Sequence, residues 1–166
     1  MKNIVLAAAA VILAATPALA SDVDAKSDFE GFYVGLVTGV SPILDGYDPA
    51  WAGGITLGYN WNVADSVILG IEGDLMGGSW EGFAYANDSL RLRAGLEVAD
   101  GFMLYGTGGI GATGLEIYGV QEIGYGFVGG GGIEMMIGHG VSLKAEGLYR
   151  GDTESFEFRS GVNFNF

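Results

Sequence analysis

From residue 31 to residue 166, apolar and polar side chains alternate with a period of two, in runs broken by Gly, Asn, Asp and Ser. That period places successive side chains on opposite faces of an extended strand. Eight such runs are predicted, over 31–40, 53–61, 67–75, 90–98, 102–112, 123–137, 141–150 and 156–166. The cleanest is the fourth, where Leu90, Leu92, Ala94, Leu96 and Val98 alternate with Arg91, Arg93, Gly95 and Glu97. In the last, Phe156, Phe158, Val162, Phe164 and Phe166 alternate with Glu157, Arg159, Gly161, Asn163 and Asn165. The fifth is so rich in Gly that its alternation sets no register.

One face of each strand is apolar and aromatic; the other holds Gly, Asn, Thr and charges. Glycine is 31 of 166 residues, hydrophobic residues are 49 % and charged residues 16 %. A soluble barrel with its apolar face inward would have to pack far more bulk than an eight-strand interior admits. The inverted arrangement fits: apolar side chains meet lipid, and small residues alternate with charges in a narrow lumen. Closing the sheet pairs every backbone group within the membrane. The expected fold is therefore all-β, an eight-stranded antiparallel up-and-down transmembrane barrel.

The connections agree. Short links over 62–65, 99–101 and 138–140 alternate with longer ones over 41–52, 76–89 and 113–122, and a shorter one over 151–155. This is the pattern of periplasmic turns and extracellular loops, with both termini periplasmic. The loop aromatics Tyr47, Trp51, Trp80, Phe83, Tyr85 and Tyr118 form a candidate surface for a host or other external ligand.

The first twenty residues read as a secretory signal peptide: Lys2, an apolar run from Ile4 to Ala15, then small residues at Ala18 and Ala20. Residues 21–28 are expected to be a periplasmic N-terminal segment and 29–166 the barrel, exported to the outer membrane of a Gram-negative cell.

The inward charges are the most informative feature: Glu72, Asp74, Arg91, Arg93, Glu97, Glu134, Lys144, Glu146, Arg150, Glu157 and Arg159. If each hairpin is symmetric about its connection, Glu72 falls opposite Arg93 and Asp74 opposite Arg91. Glu134 then faces Lys144, Arg150 lies near Glu157, and Arg159 near Glu146. Pairing offsets the desolvation that a lone charge would suffer in a narrow lumen. Such pairs would plug the barrel; the alternative is that they line a water-filled pore. Eight strands leave little free bore, which favours the plug.

Several functions are excluded. The formal net charge of −13 opposes nucleic-acid binding. There is no Cys, and His139, the single histidine, sits in a turn with no serine beside it, so neither a catalytic centre nor a metal or cofactor site is expected. The Gly108–Gly111 and Gly129–Gly132 runs lack the Lys-Ser/Thr of a phosphate loop. The loop acids Asp45, Asp48, Glu81, Asp88, Glu116, Glu122, Asp152 and Glu154 form a solvated rim, able to reach lipopolysaccharide phosphates through divalent cations.

Gly31-Phe32-Tyr33-Val34-Gly35, Val67 to Leu75, Arg91-Leu92-Arg93-Ala94-Gly95, Leu143-Lys144-Ala145-Glu146 and the ending Gly161-Val162-Asn163-Phe164-Asn165-Phe166 carry a resemblance. In that order they are similar to the OmpA-like and opacity-type small outer-membrane barrels, and most to the alphaproteobacterial 25/31-kDa outer-membrane immunogenic proteins. The resemblance spans nearly all of 29–166. It implies a structural surface protein set in outer-membrane lipid and lipopolysaccharide, with a narrow diffusion channel or an adhesin as alternatives. It also implies that Val162, Phe164 and Phe166 are read by the barrel assembly machinery. The loops are shorter than in many adhesive relatives. No segment like the peptidoglycan-binding domain of full-length OmpA follows, so tethering by that route is not expected.

Overall fold

A computed structural model describes residues 27–41, 49–80, 83–117 and 120–166. Eight strands follow in order: β1 (Gly31–Ser41), β2 (Ala50–Ala64), β3 (Val67–Trp80), β4 (Phe83–Ala99), β5 (Phe102–Ile117), β6 (Val120–Gly138), β7 (Val141–Arg150) and β8 (Ser155–Asn165). Each pairs antiparallel with its neighbour, and β8 returns to β1, so the barrel is closed. The leader expected over 1–20 and the segment 21–26 lie outside the described residues, as does Tyr47.

The barrel is apolar outside and polar inside. Leu36, Leu92, Ile110, Phe127, Phe156 and Phe158 are all more than half exposed on its outer wall. Glu72, Arg91, Glu134, Lys144 and Glu157 are buried within. A soluble protein would lose free energy by both choices; in lipid the outer wall costs nothing and the inner wall must find its own partners.

One end, here the turn end, carries the start of β1, the end of β8 and three tight connections, at Asp65–Ser66, Asp100–Gly101 and His139–Gly140. A register shift precedes each connection, between Asn62 and Ala64, Glu97 and Ala99, and Met136 and Gly138. Each shift inserts an extra residue that sharpens the local twist so the chain can reverse at once. Gly101 and Gly140 hold φ of 66° and 72°, a region closed to most side chains.

The other end differs from expectation. Within the two stretches expected as loops, 76–80, 83–89, 113–117 and 120–122 are strand. The β3–β4 ladder runs to Trp80↔Phe83 and the β5–β6 ladder to Ile117↔Val120. The strands on this side are long, with 17 residues in β4 and 19 in β6, against 10 in β7. A blade made of β3 to β6 therefore stands above the lower wall of β7, β8 and β1.

Candidate functional site: the barrel lumen

The inner face of every strand is set by parity, and the charges arrive there because each lies at the same parity as its neighbours across the ladder. Arg91, Arg93, Lys144, Arg150 and Arg159 are all the Lys and Arg between residues 27 and 166. All are buried.

Arg91 of β4 is the hub. Its Nη2 binds Glu72 Oε1 and, at 3.1 Å, Asp74 Oδ2, while its Nη1 lies 3.4 Å from Glu146 Oε1. Arg93 donates to Glu134 Oε2 at 2.6 Å and to the Tyr33 hydroxyl at 2.8 Å. Its guanidinium also lies over the Tyr105 ring, 4.1 Å from the centroid. Lys144 reaches from β7 to Glu72 Oε2 at 2.8 Å. Arg159 of β8 binds Asp74 at 3.0 Å and Glu157 at 3.0 Å.

Neutral groups complete the set. The Tyr33 hydroxyl donates to Glu72 at 2.6 Å and the Tyr105 hydroxyl to Glu146 at 2.9 Å. Ser142 and Asn163 donate to Glu134 at 2.6 and 2.7 Å. A carboxylate that receives several such donors is fixed in direction, and the low dielectric of a buried site strengthens each bond. Glycines make the room. A Cβ on Gly58 would collide with the Tyr33 ring, so only the bare backbone lets that tyrosine lie flat across the lumen.

Apolar side chains pack inside the barrel on both sides of this layer. At the turn end, Phe29 packs with Ile68, Met103 and Tyr105. The chain before β1 folds inward to place it: Glu30 N–H donates to Ser27 O at 3.0 Å, and Asn60 Nδ2 donates to Phe29 O at 3.0 Å. Toward the loop end, Val37, Ala52 and Met76 pack together, with Tyr85 against them.

Arg150 sits nearer the loop end and serves a different purpose. It grips Asp152 by Nε at 3.2 Å and Nη2 at 2.9 Å, and the Asp152 carboxylate takes the Thr113 hydroxyl of β5 at 2.8 Å. Gly151 N–H donates to Phe127 O of β6 at 2.7 Å. A Cβ on Gly126 would run into the backbone of Asp152. The β7–β8 turn is thus folded onto the inner face of β5 and β6. Burial alone would raise the Asp152 carboxyl; the hydrogen bonds from Arg150 and Thr113, together with the Arg150 charge, outweigh it and hold the group below its ordinary value.

Several expected pairings need correction. Glu72 stands opposite Arg91, not Arg93, and Asp74 stands opposite Ser89. The hairpin closes one residue earlier than the symmetric guess, so the register slips by two. An even slip keeps every side chain on its face, and Arg93 still comes within 3.4 Å of Glu72 by reaching diagonally. Glu134 does face Lys144, and Glu146 faces Arg159, in the ladders. Yet Lys144 turns to Glu72, and Arg159 to Asp74 and Glu157. Arg150 lies 3.9 Å from Glu157, more loosely than its grip on Asp152. Glu97 stands apart from the network: it accepts the Gly101 N–H at 3.1 Å and lines a cavity of about 370 Å³ at the turn end with Asp28, Asp65 and Asp100.

The aromatics also move. Trp51 is on β2, facing outward. Phe83 opens β4, and Tyr85, on the same strand, packs in the lumen instead of forming a loop surface. The side chains of Trp80 and Tyr118 lie outside the described residues. Phe164 of β8 and Phe166 just past its end are exposed on the outer wall, and Phe166 N–H donates to Phe32 O at 2.9 Å where β8 meets β1. Sequence reasoning missed Tyr105, Ser142 and Phe29. Tyr33 had a signal, as the one large side chain among the small residues on its face of β1.

The outer membrane protein beta-barrel domain model matches residues 6–166. The chain is 26 % identical to the 31 kDa outer-membrane immunogenic protein of Brucella melitensis, over 99 % of this chain and 96 % of that one. Among solved structures, Ail of Yersinia pestis superposes with a TM-score of 0.63 at 16 % identity, covering 82 % of this chain and 99 % of Ail. The N-terminal barrel domain of Pseudomonas aeruginosa OprF gives 0.59 at 17 % identity, covering 81 % and 97 %.

Proposed function

We propose that this chain, which belongs to the outer membrane protein beta-barrel domain family, is a closed structural barrel that contributes to envelope integrity. It is an outer-membrane protein of the small Ail and OmpA-like type from the Gram-negative envelope. The finer reading, that it seals rather than conducts, rests on one observation. Arg91 and Arg93 are held by carboxylates from β3, β6 and β7, so their ion pairs span the lumen between apolar clusters on both sides. An ion crossing would have to separate those pairs, and breaking a buried pair is costly.

A catalytic role is disfavoured because the lumen carboxylates are occupied by cations or hydroxyl donors. Export by residues 1–20 and recognition of Val162, Phe164 and Phe166 by the assembly machinery belong to the same reading. So does an outer rim solvated or bridged to lipopolysaccharide by divalent cations. Ail has been solved with the heparin analogue sucrose octasulfate. A polysulfated ligand does not suit this chain, since between residues 27 and 166 no Lys or Arg lies outside the lumen.

Proteoliposome swelling tests the reading. Liposomes carrying the folded barrel are expected to swell no faster in arabinose than empty ones. Swelling at a rate proportional to the protein added would favour the diffusion channel instead.

A further inference from the structure

The ladder between β6 and β7 is incomplete. β6 pairs with β5 from Phe102↔Met135 up to Ile117↔Val120. Its pairing with β7, however, ends at Val128↔Arg150. Above that point the β7–β8 turn has folded inward, and Val120 to Phe127 stands as an edge strand. Gly151 N–H donates to Phe127 O, which fixes the direction of that carbonyl toward the β7 side. Alternate residues of an antiparallel strand share a side, so the N–H and C=O of Tyr125 and Ile123 point the same way. Among the described residues nothing pairs with them. Tyr125 is 72 % exposed and Ile123 45 % exposed on the outer face.

An unpaired edge of this kind is a template for another strand, and most proteins blunt such edges with Lys, Pro or a covering loop. Val120–Phe127 contains neither Lys nor Pro. The edge also lies above the outward aromatic pair Tyr149–Phe156, whose rings are 5.4 Å apart at the top of the lower wall. It therefore stands clear of the hydrocarbon, where unpaired backbone groups would not be tolerated.

We propose that the upper edge of β6 is a docking site for an extended, basic polypeptide segment that adds to the sheet as a ninth strand. Charge selects the partner. Glu122 is on the edge itself, Glu154 flanks its base, both are exposed, and between residues 27 and 166 the chain offers no exposed Lys or Arg to balance them. Geometry selects the pattern. Partner residues opposite Tyr125 and Ile123 face outward and are apolar. Those opposite Gly124 and Glu122 face inward, where a Lys or Arg would meet the exposed carboxylate of Glu122. Backbone bonds supply affinity and the alternating side chains supply selectivity. The proposal does not depend on whether the lumen conducts.

The test uses the folded barrel in a phospholipid nanodisc and an alternating Lys–Val octapeptide as probe. The peptide is expected to bind, and to shift the Ile123 and Tyr125 amide resonances. A version N-methylated on alternate residues keeps the charge but loses one edge of donors; it is expected to bind about tenfold or more weakly. Ile123→Pro removes an edge N–H that β5 does not use, so the barrel is expected to fold and to lose binding to a similar extent. Absence of peptide binding would overturn the proposal. So would equal binding of the N-methylated peptide, which would mean charge attraction alone. If Ile123→Pro fails to fold, the N-methylated peptide decides the question on the unaltered protein.

Discussion

Glu72 of β3 and Lys144 of β7 meet at 2.8 Å although their strands stand on opposite walls of the barrel. The same Glu72 carboxylate also binds Arg91 and Arg93 from β4. One carboxylate thus ties the two halves of the cylinder together through its interior, where the hydrogen-bonded ladder cannot reach.

Removing that charge takes a carboxylate partner from three buried cations at once, Arg91, Arg93 and Lys144. Breaking a buried ion pair from one side costs about 3–5 kcal/mol. Glu72→Gln is expected to lower stability by that order, read as a lower urea midpoint in the lipid-reconstituted protein. Adding Lys144→Met to Glu72→Gln is expected to restore part of the loss, because the cation that lost its close partner is gone. An additive double variant would show that the two residues are not coupled.

The turn-end cluster predicts a separate loss. Phe29 is fully buried against Ile68, Met103 and Tyr105. Phe29→Ala should cost about 3 kcal/mol. It should also raise protease cleavage within the 27–30 segment, which the ring holds in place. Unchanged cleavage would mean that hydrogen bonds such as Asn60 to Phe29 O suffice.

Two glycines in β2 separate room from necessity. Gly58 faces the Tyr33 ring, which is pinned through its hydroxyl to Glu72 and Arg93. At Gly53, a Cβ would find its nearest neighbour, Val37 O, at 3.8 Å. Gly58→Ala is expected to cost about 1–3 kcal/mol by overpacking. Gly53→Ala should stay within about 0.5 kcal/mol of the parent. The fraction of heat-modifiable, folded barrel after refolding measures both.

The Asp152 clamp carries a pH dependence. Its carboxyl is held below the ordinary value in the folded chain. The stabilisation is therefore fully present above the unfolded-state pKa of about 3.9 and is lost as the pH falls through the lower folded value. Amide exchange at Gly151 is expected to accelerate below about pH 4. In Asp152→Asn the acceleration should vanish; if it persists, other acids control the turn.

Much of this was legible in the sequence, and what was hidden has physical reasons. The bounds of β7 were read correctly, since apolar and polar positions alternate cleanly from Val141 to Arg150. The upper parts of β3 and β4 were not. Outside the lipid band the outward positions no longer need to be large and apolar, so Gly77, Ser79, Ala84 and Ala86 show no period although their ladder continues. The inward face was legible because parity survives a two-residue slip. The partners were not, because arginine and lysine side chains cross the lumen, and strands far apart in sequence become neighbours through its interior. Glu97 shows the limit of parity: it has the right face but sits too near a turn to join the network.

The central claim is a sealed lumen, and planar-bilayer recording tests it most directly. The folded barrel, verified by its heat-dependent gel mobility, should insert without producing steps of current. Sustained, protein-dependent conductance from the unaltered chain would contradict the account, for it would require a continuous aqueous path past Arg91, Arg93 and Lys144.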